Sequence, residues 1–125
     1  MTRVFTLEEA RALMPKVKLL TAPAFELATS FAEELRETEL DGREELAEEL
    51  RERLQGLVES WSNAIQDLGL ETKGLWLVDF DSGDGYWCWV HPEADLSHWH
   101  SYEGGFGSRV PLELRPAREQ VKANG

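Results

Sequence analysis

The side chains that could carry chemistry lie in the C-terminal half of the chain, between Gly74 and Leu112. This segment holds the only cysteine, all three histidines and four of the five tryptophans. His98 and His100 are separated by one residue, so on a β-strand their imidazoles share a face and could chelate a divalent metal ion. A third ligand could come from one of several nearby side chains: Asp79, Cys88, His91, Glu93 or Glu103.

The scatter of these potential ligands weakens the metal hypothesis. No two of them show the tight spacing of a structural zinc site, and His91 falls on the opposite face of a predicted strand from Cys88. We therefore predict no cofactor, and we keep a divalent metal ion bound through His98 and His100 as an alternative.

Three other chemical readings of this segment fail. A calcium-binding EF-hand loop that starts at Asp79 needs glycine at its sixth position and glutamate at its twelfth, where this chain has Asp84 and Val90. The glycine-rich segment 103–109 lacks the lysine and the strand-to-helix context of a phosphate-binding loop. Cys88 stands between two tryptophans in a predicted strand, where a thiol is usually buried and unreactive rather than nucleophilic.

The remaining candidates for a ligand-binding site are polar or aromatic side chains of the same segment: Asp79, Glu93, Trp99, His100 and Arg109. Arg109 could hold a ligand carboxylate or phosphate, or it could stack on a tryptophan and pair with an acid. General acid–base catalysis by a carboxylate and His100 would require a geometry that the sequence does not fix. Enzymatic activity is therefore uncertain, and a non-enzymatic role is favoured.

The first half of the chain is predicted to be helical. Thr6 and Glu9 have the spacing of an N-terminal capping box. Apolar residues then recur at helical spacing: Leu13, Val17, Leu20, Ala24, Leu27, Phe31 and Leu35. Pro15 is expected to end a short helix at 7–14, because an internal proline removes a backbone donor and clashes with the preceding turn. Pro23 offers a second break, or the restart of a longer helix that ends near Glu37.

The next segment is the clearest helix of the sequence. It follows a turn at Asp41 and Gly42, and its apolar residues repeat in steps of three and four, as in a coiled-coil heptad: Ala47, Leu50, Leu54, Leu57, Trp61, Ala64 and Leu68. Gly69 is expected to cap its C-terminus. Two long helices joined by a tight turn are expected to lie antiparallel, as a coiled-coil-like hairpin.

After Gly69 the hydrophobic period changes to two, which is typical of β-strands. We predict strands at 70–72, 75–80, 86–91, 97–102 and 108–114, with a hairpin loop at 81–85. The chain is therefore predicted to be a single α+β domain over residues 1–125. A short N-terminal helix and a long antiparallel helical hairpin (helical part 6–68) pack with a small C-terminal antiparallel β-sheet (β-rich part 70–114), and a polar tail follows at 115–125.

Charge and composition limit the possible partners. The formal net charge is −11, and ten acidic residues face only three arginines between Glu33 and Glu52. No cluster of lysine and arginine is present, so nucleic acid is not an expected partner. No apolar run is long enough to span a bilayer, and the N-terminus lacks the apolar core of a signal peptide. These features and the single cysteine favour a cytoplasmic protein without a membrane partner.

Short motifs along nearly the whole chain form a recognisable set. They are Phe5-Thr6-Leu7-Glu8-Glu9-Ala10, Leu13-Met14-Pro15, Gly74-Leu75, Val78-Asp79-Phe80, Cys88-Trp89 with Glu93, Trp99-His100, Gly105-Phe106 and Arg109-Val110-Pro111-Leu112. In these motifs the chain resembles the prokaryotic domain-of-unknown-function family 2203, a family of conserved hypothetical proteins. Trp76 and Leu77 look like an insertion or shift relative to the family pattern, and Val90 and Pro92 depart from it.

The resemblance implies a location for the site rather than an activity. It extends to Cys88, Glu93, Trp99, His100 and Arg109 but to neither His91 nor His98, and this weakens a metal site that needs His98.

Two functional hypotheses from different classes follow. The first is a non-enzymatic protein-interaction or regulatory module, which contacts a protein partner or a second copy of the chain in a homodimer. Its contact surface would combine the exposed part of the heptad pattern, Trp99 and the glycine-rich loop. The alternative is a small-ligand- or metal-binding site, with hydrolysis as one outcome, on the C-terminal sheet. That site would use four polar residues: Asp79, Glu93, His100 and Arg109.

Overall fold

A computed structural model describes residues 3–116 of the chain. Two long helices, α1 (Leu7–Leu40) and α2 (Glu44–Gln66), pack against each other across a short connection. The capping box predicted for α1 is present, because the Thr6 hydroxyl accepts a hydrogen bond from the Glu9 backbone and the Glu9 carboxylate accepts one from the Thr6 backbone. No helix among these residues is long and apolar enough to cross a membrane.

Five short strands follow the helices and form one antiparallel sheet in chain order. They are β1 (Glu71–Gly74), β2 (Leu77–Asp81), β3 (Tyr86–Val90), β4 (His98–His100) and β5 (Val110–Pro111). Two 3-10 turns, Phe106–Ser108 and Leu112–Leu114, flank β5. The predicted α+β class is confirmed.

The hydrophobic core lies between the helices and one face of the sheet. Large aromatic and aliphatic side chains from alternate strand positions form the sheet side of this core: Val78, Phe80, Trp87, Trp89 and Trp99. The helices contribute Ala10, Met14, Val17, Trp61 and Ile65. Each of these side chains is buried. Because side chains alternate along a strand, the residues between them lie on the opposite face of the sheet, which the helices do not cover.

The predicted break at Pro15 is wrong, since α1 runs through both Pro15 and Pro23 as one helix of 34 residues. The separate short helix at 7–14 therefore does not exist. An internal proline costs one backbone hydrogen bond and crowds the preceding turn. Burial of Met14 and Val17 on either side of Pro15 outweighs that cost, as does burial of Thr21, whose hydroxyl accepts a hydrogen bond from Trp61 Nε1 at 2.9 Å.

The predicted apolar stripe of α1 is correct only in part. Val17 is buried as expected, but Leu27 is 48 % exposed. The buried line instead follows smaller and more adaptable side chains: Ala10, Met14, Val17, Thr21, Ala28 and Thr38. A pattern of large aliphatic residues therefore misplaced the buried face by about one helix position.

The heptad residues of α2 lie largely in the interior. Ala47, Leu50 and Trp61 are buried, and Ile65 is buried next to the predicted Ala64. The surface that the interaction hypothesis assigned to this pattern is thus mostly used for internal packing. Trp99, a second part of that surface, is only 8 % exposed because it points into the core.

Strand β2 begins at Leu77 rather than at the predicted Leu75. Leu75 and Trp76 instead form the turn between β1 and β2, and Trp76 has a positive φ of 66°. This backbone conformation is unfavourable for a bulky residue. The Trp76 ring packs at centroid distances of 4.9 Å from Trp61 and 5.8 Å from Phe25, so aromatic contacts hold it in place. The last two predicted strands are also shorter than expected.

Candidate functional site

A polar cluster lies on the face of the sheet that points away from the helices. Asp79 on β2 is directly opposite Cys88 on β3, and His100 on β4 is opposite Tyr86, the next residue of β3 that shares this face. Asp79 and Cys88 are completely buried, and His100 is 1 % exposed. Gly85 allows β4 to approach closely, because a Cβ at this position would lie 2.4 Å from the His100 carbonyl oxygen.

Asp79, Cys88 and His100 bring three different donor atoms together. A carboxylate oxygen, the thiol sulfur and an imidazole nitrogen all lie within 4.8 Å of one another. Asp79 Oδ2 is 3.1 Å from His100 Nε2, whereas Asp79 Oδ1 has no hydrogen-bond partner despite being buried. A buried carboxylate oxygen without a partner is costly, and such exceptions call for a specific explanation.

The orientation of His100 is set by its other ring nitrogen. Nδ1 lies 2.7 Å from the carbonyl oxygen of Ser101, which can only accept a hydrogen bond, so Nδ1 carries a proton. In a neutral imidazole Nε2 then presents a lone pair to the Asp79 carboxylate. Two acceptors 3.1 Å apart require a cation between them, either a proton or a metal ion.

The Cys88 thiol is not an activated nucleophile in this setting. Burial raises the pKa of Cys88, and the neighbouring Asp79 carboxylate raises it further. A thiolate is the reactive form of cysteine, so a raised pKa keeps the side chain in its unreactive form. This observation agrees with the inert thiol expected from the sequence.

Lys73 covers the cluster from the side of β1. Its ammonium lies 3.7 Å from Asp79 Oδ2, 3.7 Å from Glu71 Oε1 and 3.5 Å from the centroid of the Tyr86 ring. Burial lowers the pKa of Lys73, but its contacts with Tyr86, Asp79 and Glu71 outweigh burial and leave that pKa above its ordinary value. Lys73 therefore remains charged beside the cluster.

Glu93 and Arg109 form a separate bidentate pair, with hydrogen bonds of 2.9 and 2.6 Å. The Glu93 carboxylate also accepts a hydrogen bond from the Val90 backbone at 2.9 Å. Burial raises the pKa of Glu93, but the hydrogen bonds from Arg109 and Val90 outweigh it and hold the pKa below its ordinary value. His98 lies next to this pair, with its Nδ1 3.7 Å from Glu93 Oε2.

The predicted site residues thus form two groups rather than one. Asp79 contacts His100 directly, and Glu93 contacts Arg109 directly. The pKa of the Cys88 thiol depends on both groups, because Asp79 raises it and Arg109 lowers it. His98 lies outside the three-donor cluster. Trp99 is in the core on the other face of the sheet, where its indole nitrogen donates to Ser82 Oγ at 3.1 Å, so it cannot contact a ligand at the cluster.

The sequence named Cys88 as one of several possible third metal ligands but left it out of the candidate binding site, and it gave no role to Lys73 or Tyr86. The position of Cys88 depends on the register of the hairpin. The predicted loop at 81–85 would have closed at Phe80 and Tyr86 and placed Asp79 opposite Trp87. The structure closes the hairpin at Asp81 and Tyr86, which brings Asp79 opposite Cys88. Lys73 could not be placed in this way, because a register irregularity between Thr72 and Gly74 interrupts the pairing of β1 with β2.

The donor set suits a borderline transition metal. Thiolate, imidazole and carboxylate together match the ligands of zinc, whereas calcium and magnesium prefer oxygen ligands alone. Three protein ligands would leave one position of a tetrahedral ion open to water or to a ligand. The backbone carbonyl that orients His100 is the usual outer partner of a metal-binding histidine.

Comparison with known proteins identifies a family but no function. The family described as Uncharacterized conserved protein (DUF2203) matches residues 3–112. No curated protein and no solved structure matches the chain. Because the family match covers most of the sequence, including the whole polar cluster, this chain belongs to the DUF2203 family of uncharacterized conserved proteins.

Proposed function

We propose that the protein binds a divalent transition metal ion, best matched by Zn²⁺, through Asp79, Cys88 and His100. The observation that carries the proposal is the convergence of three buried donor atoms, from the Asp79 carboxylate, the Cys88 thiol and the His100 imidazole, within 4.8 Å of one another. Asp79 Oδ1 beside them has no hydrogen-bond partner. A metal ion bound by this carboxylate would compensate for its burial. Of the functions predicted from the sequence, this is the metal-binding form of the small-ligand alternative.

The arrangement of His100 supports the same conclusion. Because Nδ1 donates to the Ser101 carbonyl, a neutral imidazole directs the lone pair of Nε2 at Asp79, where a metal ion would take the place of the shared proton. Zinc bond lengths imply a separation of about 3.3 Å between nitrogen and oxygen ligands of one tetrahedral ion. The 3.1 Å between Nε2 and Oδ2 is close to that value. All donor atoms lie within 4.8 Å of one another, so metal binding would require their separations to contract by at most about 1 Å.

Charge balance also favours an ion of charge +2. Metal binding displaces the thiol proton of Cys88, so that one thiolate and one carboxylate neutralise the ion. Lys73 lies 3.7 Å from both Asp79 Oδ2 and Glu71 Oε1, and the Glu71 carboxylate balances its charge. Glu93 balances the charge of Arg109. Since a metal-bound cysteine is deprotonated outright, the raised pKa of the metal-free thiol lowers metal affinity at every pH below that pKa, neutral pH included, without preventing binding.

The test is a zinc titration of the chelator-treated protein, followed by native mass spectrometry and by competition with a chromophoric chelator. We expect one ion per chain. Asp79→Asn, Cys88→Ser and His100→Gln should each weaken zinc binding by at least about 100-fold. His98→Gln is the matched control, since it changes a neighbouring histidine of the same strand outside the cluster, and it should leave zinc affinity unchanged. A wild-type protein that binds no zinc would contradict the proposal, as would equal losses in the two histidine variants.

The interaction or regulatory function predicted from the sequence stays a prediction, as do a protein partner, a homodimer and a cytoplasmic location. Exposed apolar side chains on α1, among them Leu19 and Leu40, are 76 % and 78 % exposed. Exposed apolar side chains alone do not specify a partner, whereas three converging donor atoms specify a ligand class, so the metal centre is the better-supported proposal. A hydrolytic use of that centre would require substrate access to the open metal position.

A further inference from the structure

A cavity lies between α1 and the segment 94–97, away from the polar cluster. Its volume is about 600 Å³, and its lining includes Arg11, Met14, Lys18, Asp95, Leu96 and Ser97. Small-molecule sites typically have volumes of about 300–1,000 Å³. The cavity shares no residue with the polar cluster, and the inference drawn from it does not depend on a metal ion.

Arg11 and Lys18 are directed at this cavity by backbone carbonyls. Arg11 Nη2 donates to the Leu96 carbonyl oxygen at 3.3 Å, and the Lys18 ammonium donates to the carbonyl oxygen of Ala94. The two residues are seven positions apart in α1, which is two helical turns, so they lie on the same side of the helix. Within residues 3–116 each donates one hydrogen bond, which leaves further N–H donors for a ligand.

Neither cation has a carboxylate partner within residues 3–116. Lys73, Arg109 and Arg115 each form an ion pair, whereas Lys16, Arg36 and Arg43 form none within the described residues and do not line the cavity. Asp95 also lines the cavity, so the lining carries a net charge of about +1 in a chain whose overall charge is −11. Two cations without carboxylate partners at one cavity of such an acidic protein indicate recognition of an anion.

We infer that this cavity binds a small organic phosphate monoester. The planar guanidinium of Arg11 can donate two parallel hydrogen bonds to phosphate oxygens, and the Lys18 ammonium supplies a second charge for the dianion. Ser97 also lines the cavity, and the exposed Pro15 and Ala94 offer apolar surface for the organic part of the ligand above the buried Met14 and Leu96. The chemistry therefore favours a phosphate with a compact apolar substituent over free inorganic phosphate.

The test is a titration of the full chain with phenyl phosphate, inorganic phosphate, benzoate and phenol at low ionic strength, followed by amide chemical shifts in NMR spectra. We expect phenyl phosphate to bind most tightly and to shift amides of residues 11–18 and 94–97. Lys18→Gln and Arg11→Gln should each weaken phenyl phosphate by about tenfold or more. Arg11→Lys, which keeps the charge but loses the planar donor pair, should weaken it less than Arg11→Gln.

Arg36→Gln provides the matched control. Arg36 is exposed, lies on the same helix and has no ion pair in the described part of the chain, but it does not line the cavity. Its replacement should leave binding unchanged. The inference is overturned if Arg36→Gln weakens phenyl phosphate as much as Lys18→Gln does, since the attraction would then be nonspecific. It is also overturned if phenol or benzoate binds as tightly as phenyl phosphate.

Discussion

Replacing His100 with alanine should destabilise the metal-free protein far more than the same replacement at an exposed histidine. His100 and Asp79 form a buried pair with a separation of 3.1 Å, and both side chains are completely buried. Removing His100 leaves the buried Asp79 carboxylate beside the partly exposed Lys73 ammonium, 3.7 Å away. Breaking a buried pair typically costs about 3–5 kcal/mol. For a domain of this length the corresponding decrease in melting temperature is about 10–20 °C.

Urea unfolding in the presence of a chelator, followed by tryptophan fluorescence, measures this loss. His98→Ala is the control, because His98 is on the same strand but is partly exposed, and Glu93 keeps its bidentate contact with Arg109 when His98 is removed. We expect His98→Ala to cost less than about 1 kcal/mol. If His100→Ala costs no more than His98→Ala, the buried pair does not stabilise the fold as argued.

Zinc separates the stabilising role of His100 from its proposed role as a ligand. Zinc at 100 times its dissociation constant should stabilise the wild-type protein by about 2.7 kcal/mol. The same addition should not stabilise the His100→Ala variant, which lacks one of the three proposed ligands. Equal stabilisation of both proteins by zinc would place the ion elsewhere.

Three further predictions concern the elements that support the site. The low pKa of Glu93 means that its contribution to the free energy of unfolding is complete above its ordinary pKa of 4.5 and is lost as the pH falls through the lower folded value. Unfolding measured from neutral to acidic pH should therefore show a smaller acid-side loss in Glu93→Gln than in the wild type. Pro15→Ala should stabilise the protein by up to about 3 kcal/mol in urea unfolding, because it restores a backbone donor inside α1; a destabilised variant would contradict this. Thr21→Val should cost about 1–3 kcal/mol, because it leaves the buried indole N–H of Trp61 without an acceptor, and adding Trp61→Phe should recover that part of the loss.

The secondary-structure class could be predicted from the sequence because two different hydrophobic periods divide the chain. The capping box at Thr6 and the heptad pattern of α2 are local signals, and both correspond to observed elements. The prediction at Pro15 was wrong because it counted only the local cost of a proline inside a helix. The burial of neighbouring side chains against the rest of the fold, which the sequence does not show, outweighs that cost. Trp76 is a similar case, since its positive φ is held by contacts with residues of both helices.

The sequence predicted which residues form the candidate site, but not which of them contact one another. Asp79, Glu93, His100 and Arg109 were identified, yet their division into two pairs depends on strand register. Cys88 was dismissed as a nucleophile because its sequence neighbours are apolar, although the residues opposite it on the adjacent strands are Asp79 and His98. Alternation along a strand gives a side chain surroundings unlike those of its sequence neighbours.

Cobalt substitution tests the central claim of a three-ligand metal centre most directly. Co²⁺ bound to a thiolate produces an intense sulfur-to-metal charge-transfer absorption, which reports on the Cys88 ligand itself. We expect one equivalent of Co²⁺ to produce this absorption in the wild type and in His98→Gln, and Zn²⁺ to displace it. The absorption should be absent from Cys88→Ser and should be lost or shifted in Asp79→Asn and His100→Gln. A wild-type protein that binds Co²⁺ without a thiolate band, or binds none, would contradict a metal centre at Asp79, Cys88 and His100.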